Sequence, residues 1–292
     1  MSSSATAPVV VGYDGSPASA AALRWAGGYA DHTGAAVRVV HALALPLVRG
    51  PAGYTSVVRV EDLIESAEVL LDHACEHLRA DHPDLDIDVV VNIGAAGAIL
   101  LEEAGRARLV VVGSSGLGEF RDSVLGSVAA QLAIHASTPV VVVPAGWRPG
   151  AADRRIVVGV DGSKLSTAAI DFAYDYADAS RTSIEPVLAW RGPVSAGPGD
   201  MLPLVYEADE LQRENEIILA ENLAGRAERY PDVVVWSQVV RGDPAAVLLE
   251  AARGAELLVV GSRGRGGFRG LLLGSVSWSV LHRCACPVAV VR

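Results

Sequence analysis

The chain has 292 residues, 51% of them hydrophobic and 20% charged, with a formal charge of −10. That apolar fraction excludes a disordered chain, and the acidic balance argues against a dedicated nucleic-acid binder, which carries a basic face. No run approaches the roughly 20 apolar residues that span a bilayer, and three cysteines, Cys75, Cys284 and Cys286, are too few for a disulfide framework. The Ser/Ala-rich start, Met1 to Pro8, has neither the basic nor the apolar region of an export signal, so a cytoplasmic protein without a membrane span is expected.

Pro8–Tyr13 is a short continuous apolar run, as in a strand covered on both faces. Ser16-Pro17 places an N-cap and an N1 proline ahead of an Ala-rich helix running to about Thr33. Ala36–Leu43 is the next expected strand, and the Pro- and Gly-containing stretch Leu45–Ser56 is expected to be an irregular loop. A second helix over roughly Val58–Ala80 would put Leu63, Ala67, Leu70, Ala74 and Leu78 on one stripe. There follow a strand at Asp86–Val91, a helix at Ala95–Arg106, a strand at Arg108–Gly113, a helix from Ser127 to about Ala136 and a strand at Pro139–Val143.

The pattern is then written a second time. Val10–Ser16 returns as Val157–Ser163 at an offset of 147, and Val110–Ser114 returns as Leu258–Ser262 at 148. Leu125–Val128 returns as Leu273–Val276 and Thr138–Val140 as Cys286–Val288, both at 148. A period of domain size means tandem duplication, with Arg191–Pro203 as the counterpart of the first long loop. Prolines and glycines between Ala145 and Asp153 mark the boundary, giving expected domains at 1–146 and 153–292. Strands alternating with helices imply βαβ units. The expected class is α/β: two tandem Rossmann-like doubly wound domains, each a five-stranded parallel sheet with helices on both faces.

In such sheets ligands sit beyond the carboxyl ends of the strands, where the strand order reverses. Gly12 to Ser16, with Gly159 and Asp161 in the second copy, should reach that point. So should a glycine loop after strand four. In the first copy it runs Gly113-Ser114-Ser115-Gly116, nine residues, then Gly126-Ser127; in the second it runs Gly261-Ser262-Arg263-Gly264, nine residues, then Gly274-Ser275. Leu117, Gly118 and Val128 extend the first candidate site, and Arg265, Gly266, Gly267, Val276 and Ser277 extend the second. The glycines are expected to take positive φ and turn consecutive amides inward around an anion. The closing Gly-Ser opens a helix, whose free amides and dipole face the same space. A lone Gly-x-x-Gly would be a turn; two copies with the same spacer favour a phosphate site.

The copies differ in charge. Residues 113–127 hold Glu119, Arg121 and Asp122, whereas 261–275 hold Arg263, Arg265 and Arg269. Arg241-Gly242-Asp243-Pro244 in the second copy stands where the first has Ile93-Gly94-Ala95-Ala96. The second half is therefore expected to bind an anionic ligand more tightly.

The glycine spacing, together with Val-Gly-x-Asp-Gly-Ser at the end of strand one, resembles the universal stress protein family. It is most similar to the tandem two-domain members of actinobacteria, over nearly the whole chain. The resemblance implies an ATP-binding subgroup, with phosphates on the glycine loops. Adenosine would lie beside Asp14 and Asp161 and beside Ala42 and Ala189 after strand two. Mg²⁺ would arrive on the nucleotide, with no metal site in the protein. The last strands, Val140–Val143 and Val288–Val291, are apolar edges that need cover. In the family such strands pair across a two-fold, which implies a pseudo-dimer of the halves and a further homodimer. A regulatory role in stress, hypoxia or growth arrest, through a protein partner, is also implied.

Other motifs are weaker. His73-x-x-Glu76-His77 matches an inverted zinc-protease pattern, but the second copy has no such pair and a solvated helix face explains it. Cys284-x-Cys286 is read as two small hydrophobes before a strand. There is no Walker-type Gly-Lys, Lys164 being the only lysine, and no evident base in the glycine loops. Binding is thus favoured over turnover. The alternatives are an enzyme transferring adenylyl or phosphoryl groups, a cyclic AMP binder, and a partner-binding protein whose sites have decayed.

Overall fold

The computed structural model describes residues 7–45, 47–50, 53–56, 59–116, 125–150, 153–192, 208–265 and 272–292. The chain divides into two compact units, Met1–Ala151 and Ala152–Arg292. Among the described residues no helix is long and apolar enough to cross a membrane.

Unit 1 runs β1 (Val9–Gly12), α1 (Pro17–Thr33), β2 (Val37–Leu43), β3 (Leu47–Gly50), β4 (Gly53–Ser56), α2 (Val60–Asp81), β5 (Ile87–Ile93), α3 (Ala96–Ala104), β6 (Leu109–Gly113), α4 (Ser127–His135) and β7 (Val140–Val143). Its main sheet has the order β5-β2-β1-β6-β7 with every pair parallel. The chain goes from β1 to β2 on one side and later returns to β6 on the other, so the switch point lies between β1 and β6. Helix α1 touches α2, and α3 touches α4. Val9, Val10, Val11, Leu109, Val110 and Val111 are buried at the centre, as two covered faces require.

Unit 2 repeats this with β8 (Asp153–Val160), α5 (Lys164–Ser180), β9 (Ser183–Trp190), α6 (Ala208–Leu223), a single turn α7 (Arg226–Arg229), β10 (Gln238–Arg241), α8 (Pro244–Ala251), β11 (Ala255–Gly261), α9 (Ser275–Arg283) and β12 (Val288–Val291). Its order is β10-β9-β8-β11-β12, again all parallel. The doubly wound α/β class expected from the sequence is thus present twice.

Two expectations need revision, and the units differ in one strand. The stretch expected to be an irregular loop holds an antiparallel pair, β3 with β4, which its Val48, Tyr54 and Thr55 favour. On α2 the buried positions are Ala67, Leu71, Ala74, Cys75 and Leu78, so the stripe passes through Leu71 instead of Leu70. The Leu70 side chain lies over Gly15. The third strand of unit 2 is short, Gln238–Arg241 against Ile87–Ile93 in unit 1. Ile184 exchanges backbone bonds with Val234 and Trp236 on that side. Two residues on, Pro186 has no N–H to continue the ladder. The counterpart of the first long loop falls mostly outside the described residues.

Helix starts follow their sequence signals. The Ser19 amide donates to Ser16 Oγ at 3.1 Å, and Pro17 occupies the first turn of α1. Ser163 caps α5 in the same way, at 3.2 Å. Ser16→Ala is expected to lower unfolding free energy by about 1 kcal/mol, read from the urea midpoint at unchanged m-value; an unaltered midpoint would show that the cap contributes nothing.

Candidate functional site

Each unit has a cleft at its switch point, over the carboxyl ends of the strands. In unit 1 it is about 460 Å³. Its walls include Gly12 and Asp14 after β1, Ala42 on β2, Gly113, Ser115 and Gly116 after β6, and Gly126, Ser127 and Val128 at the start of α4. In unit 2 it is about 520 Å³. There the corresponding residues are Gly159, Asp161, Ala189, Gly261, Arg263, Gly264, Arg265, Gly274, Ser275, Val276 and Ser277. Three segments distant in sequence therefore converge as expected. Leu117, Gly118, Gly266 and Gly267 lie outside the described residues.

Ser114 and Ser262 do not line the clefts. They are the backbone rivets behind them: the Ser114 amide donates to Val143 O at 2.8 Å and its carbonyl accepts from Gly126 at 2.7 Å. Ser262 does the same with Val291 and Gly274, both at 2.7 Å. This closes the loop on itself and sets the first turn of α4 or α9 beside Gly116 or Gly264.

The glycines serve close approach, not positive φ. Among the described loop glycines none has φ in the left-handed region; Gly126 and Gly274 sit at φ −62° and −76°. A Cβ on Gly113 would fall 2.6 Å from the Ala18 carbonyl carbon, and one on Gly261 2.9 Å from the carbonyl of Leu165. A Cβ on Gly116 would meet Asp14 Oδ2 at 2.7 Å, and one on Gly264 would overlap Asp161 Oδ2. The expectation of a loop bent by left-handed glycines is corrected accordingly: backbone is brought against helix and carboxylate because side chains are missing.

Asp14 and Asp161 organise that approach. Asp14 Oδ1 accepts from the Ser16 amide at 3.0 Å. Asp161 Oδ1 accepts from the Ser163 amide at 2.9 Å, while Oδ2 accepts from the Arg265 amide at 2.8 Å. Burial works to raise the Asp161 pKa, but hydrogen bonds from Ser163, Arg265 and Ser166 outweigh it and hold the carboxyl below its ordinary range. The strand-one aspartate thus ties the glycine loop to β8.

Helices α4 and α9 begin without a side-chain cap, unlike α1, α5 and α8, which Ser16, Ser163 and Asp243 cap. Their first amides, from Ser127 and Val128 and from Ser275 and Val276, belong to residues that line the clefts. Ser277 Oγ donates to Gly261 O at 2.7 Å, so that hydroxyl fixes the helix to β11. Uncapped amides at the positive end of a helix suit an anion.

Sequence reasoning missed the remaining wall. Leu100 on α3 and Leu248 on α8 line the clefts, their Cδ1 atoms 2.8 and 3.0 Å from where a Cβ on Gly12 or Gly159 would stand. Val40, Val112, Val187 and Val260 add apolar floor. The signal was present: Leu100 and Leu248 are 148 apart, as are the glycine loops.

The electrostatic difference survives folding. Among the described lining residues unit 1 has Asp14 and no cation, whereas unit 2 has Asp161 with Arg191, Arg263 and Arg265. Arg191 pairs with Asp243 at the rim, and Asp243 Oδ1 also caps α8 through the Ala246 amide at 3.0 Å. His73, Glu76 and His77 are exposed, and among the described residues no group of three or more His, Cys, Asp or Glu is placed to hold a metal ion.

Comparison with known proteins agrees with this geometry. The model of the universal stress protein family matches residues 6–144 and again 153–292. A universal stress protein of Mycolicibacterium smegmatis is 38% identical over 290 residues, covering 97% of this chain and 96% of that protein. One from Mycobacterium tuberculosis is 36% identical over 295 residues, with the same coverage. In fold, the crystal structure of a universal stress protein from Archaeoglobus fulgidus matches with a TM-score of 0.68 at 20% identity, covering 98% of each chain. The repeated switch-point cleft, the paired glycine loops and these full-length relatives place the chain in the universal stress protein family, with two such domains in tandem.

Proposed function

We propose that the chain is an ATP-binding regulatory protein, with phosphates held by the glycine loop and the first turn of α4 or α9. The observation that carries this reading is the uncapped helix start facing a cleft, built the same way in both units. Volumes of about 460 and 520 Å³ lie within the usual range for small-molecule sites. The apolar floor of Val40, Ala42, Leu100 and Val112, and its counterpart in unit 2, suits a nucleobase and ribose; Mg²⁺ would ride on the phosphates. Binding is favoured over turnover because Asp161, held ionised by its hydrogen bonds, is a poor base.

Denaturing the protein purified from its own cells and identifying the released small molecules by mass spectrometry tests this. ATP or ADP is expected, with calorimetry giving micromolar affinity, about −8 kcal/mol. Preferential binding of cyclic AMP in a competition titration would replace ATP by a monophosphate ligand. Steady ADP or AMP release lost in Asp161→Ala would make the protein an enzyme. No nucleotide binding at millimolar concentration would end the proposal.

A further inference from the structure

A pair of reactive side chains lies away from both clefts, where α9 hands over to β12. Cys284 is the residue just after α9, and Cys286 precedes Pro287 and β12. Their sulfurs are 3.4 Å apart. We propose that Cys284 and Cys286 are a redox dithiol that a peroxide converts to an intramolecular disulfide.

Three observations support this. The sulfurs are already in contact, so roughly 1.3 Å of approach separates them from a covalent bond of ~2.05 Å. Exposure divides the roles: Cys284 is half-buried and reachable, while Cys286 is buried. Hydrogen bonding at this sulfur–sulfur contact lowers the Cys284 pKa against the opposing effect of burial. The same contact, with burial, pushes Cys286 upward. Cys284 is therefore the attacking sulfur and Cys286 the resolving one. Packing alone does not require the pair, because unit 1 builds the same corner with Ala136 and Thr138.

The chemistry balances with one peroxide. The Cys284 thiolate attacks a peroxide oxygen; the S–O bond forms as the O–O bond breaks, and the departing hydroxide takes a proton to become water. Cys284 is oxidised to a sulfenic acid by two electrons as the peroxide is reduced. The Cys286 sulfur, giving up its proton, then attacks the Cys284 sulfur. The S–S bond forms, the S–O bond breaks, and the hydroxide leaves as a second water.

Trypsin makes the test direct, since cleavage after Arg283 releases one peptide, Cys284 to Arg292, that carries both thiols. The reduced full chain is treated with near-stoichiometric hydrogen peroxide, denatured in N-ethylmaleimide and digested. The expected peptide is lighter by two hydrogen atoms, loses both alkylation sites and regains them after dithiothreitol. Cys75, buried in α2, remains alkylated in the same sample. In Cys286→Ser the disulfide is lost and Cys284 is trapped by dimedone as its sulfenic acid. Full alkylation of the wild-type peptide after peroxide, oxidation of Cys284 only to the sulfinic acid, or reaction of Cys75 ahead of it would each overturn the proposal.

Discussion

In calorimetric titration of the full chain with ATP, Gly274→Val is expected to abolish the tighter of two binding events, and Gly126→Val the weaker. Both glycines have extended φ and ψ that valine adopts freely, so the effect is one of space alone. A Cβ on Gly274 would sit 3.3 Å from Arg263 Cα and 3.5 Å from Ser262 O. One on Gly126 would sit 3.4 Å from both Ser114 O and Ser115 Cα. The added methyl groups then push the glycine loop off the helix start, and the amides no longer converge. The affinities are expected to differ because of the lining charges. One charge pair at ~7 Å in water is worth about 0.6 kcal/mol, so with Arg191 neutralised by Asp243 the two remaining guanidinium groups against none reach about 1.2 kcal/mol, or roughly eightfold in affinity. Arg263→Ala with Arg265→Ala should carry unit 2 most of the way to the affinity of unit 1, and added salt should narrow the gap. A tight event that survives Gly274→Val and disappears in Gly126→Val would reverse the assignment.

The residues behind this difference are legible in the sequence, and the features that are not legible there share a physical cause. Apolar runs, the N-caps Ser16 and Ser163 and the duplication at 147 to 148 residues are local or periodic signals, so element order and cleft position followed from them. Direction of burial is a tertiary property. Leu71 rather than Leu70 faces the sheet because of where α2 lies on it, and no spacing within one helix distinguishes the two. The roles of Ser114 and Ser262 depend on β7 and β12 presenting Val143 and Val291 carbonyls to their amides, partners some thirty residues away. The short β10 could have been read from Pro186 only once the strand beside it was known. The glycine spacing points to the site for a reason that the structure replaces: these glycines mark where backbone meets backbone or carboxylate.

The strongest consequence of that replacement concerns Gly113 and Gly261, which should behave unlike Gly126 and Gly274. A side chain on Gly113 runs into the Ala18 carbonyl carbon at 2.6 Å and the Ser19 amide nitrogen at 2.8 Å; one on Gly261 runs into the Leu165 carbonyl carbon and oxygen, both at 2.9 Å. These atoms belong to the first turns of α1 and α5, whose helical bonds and serine caps prevent them from yielding as a flexible side chain would. Gly113→Val and Gly261→Val therefore force the helix away from the sheet and open the valine-rich core between them. Each is expected to cost about 3 kcal/mol, a fall in melting temperature of roughly 10 °C for a unit of this size. Differential scanning calorimetry without nucleotide reads this directly, and Gly274→Val serves as the contrast, weakening ATP binding with the apo transition nearly in place. If Gly113→Val melts with the wild type, the glycine after β6 is free of the helix behind it, and its place in the loop has to be explained by the ligand after all.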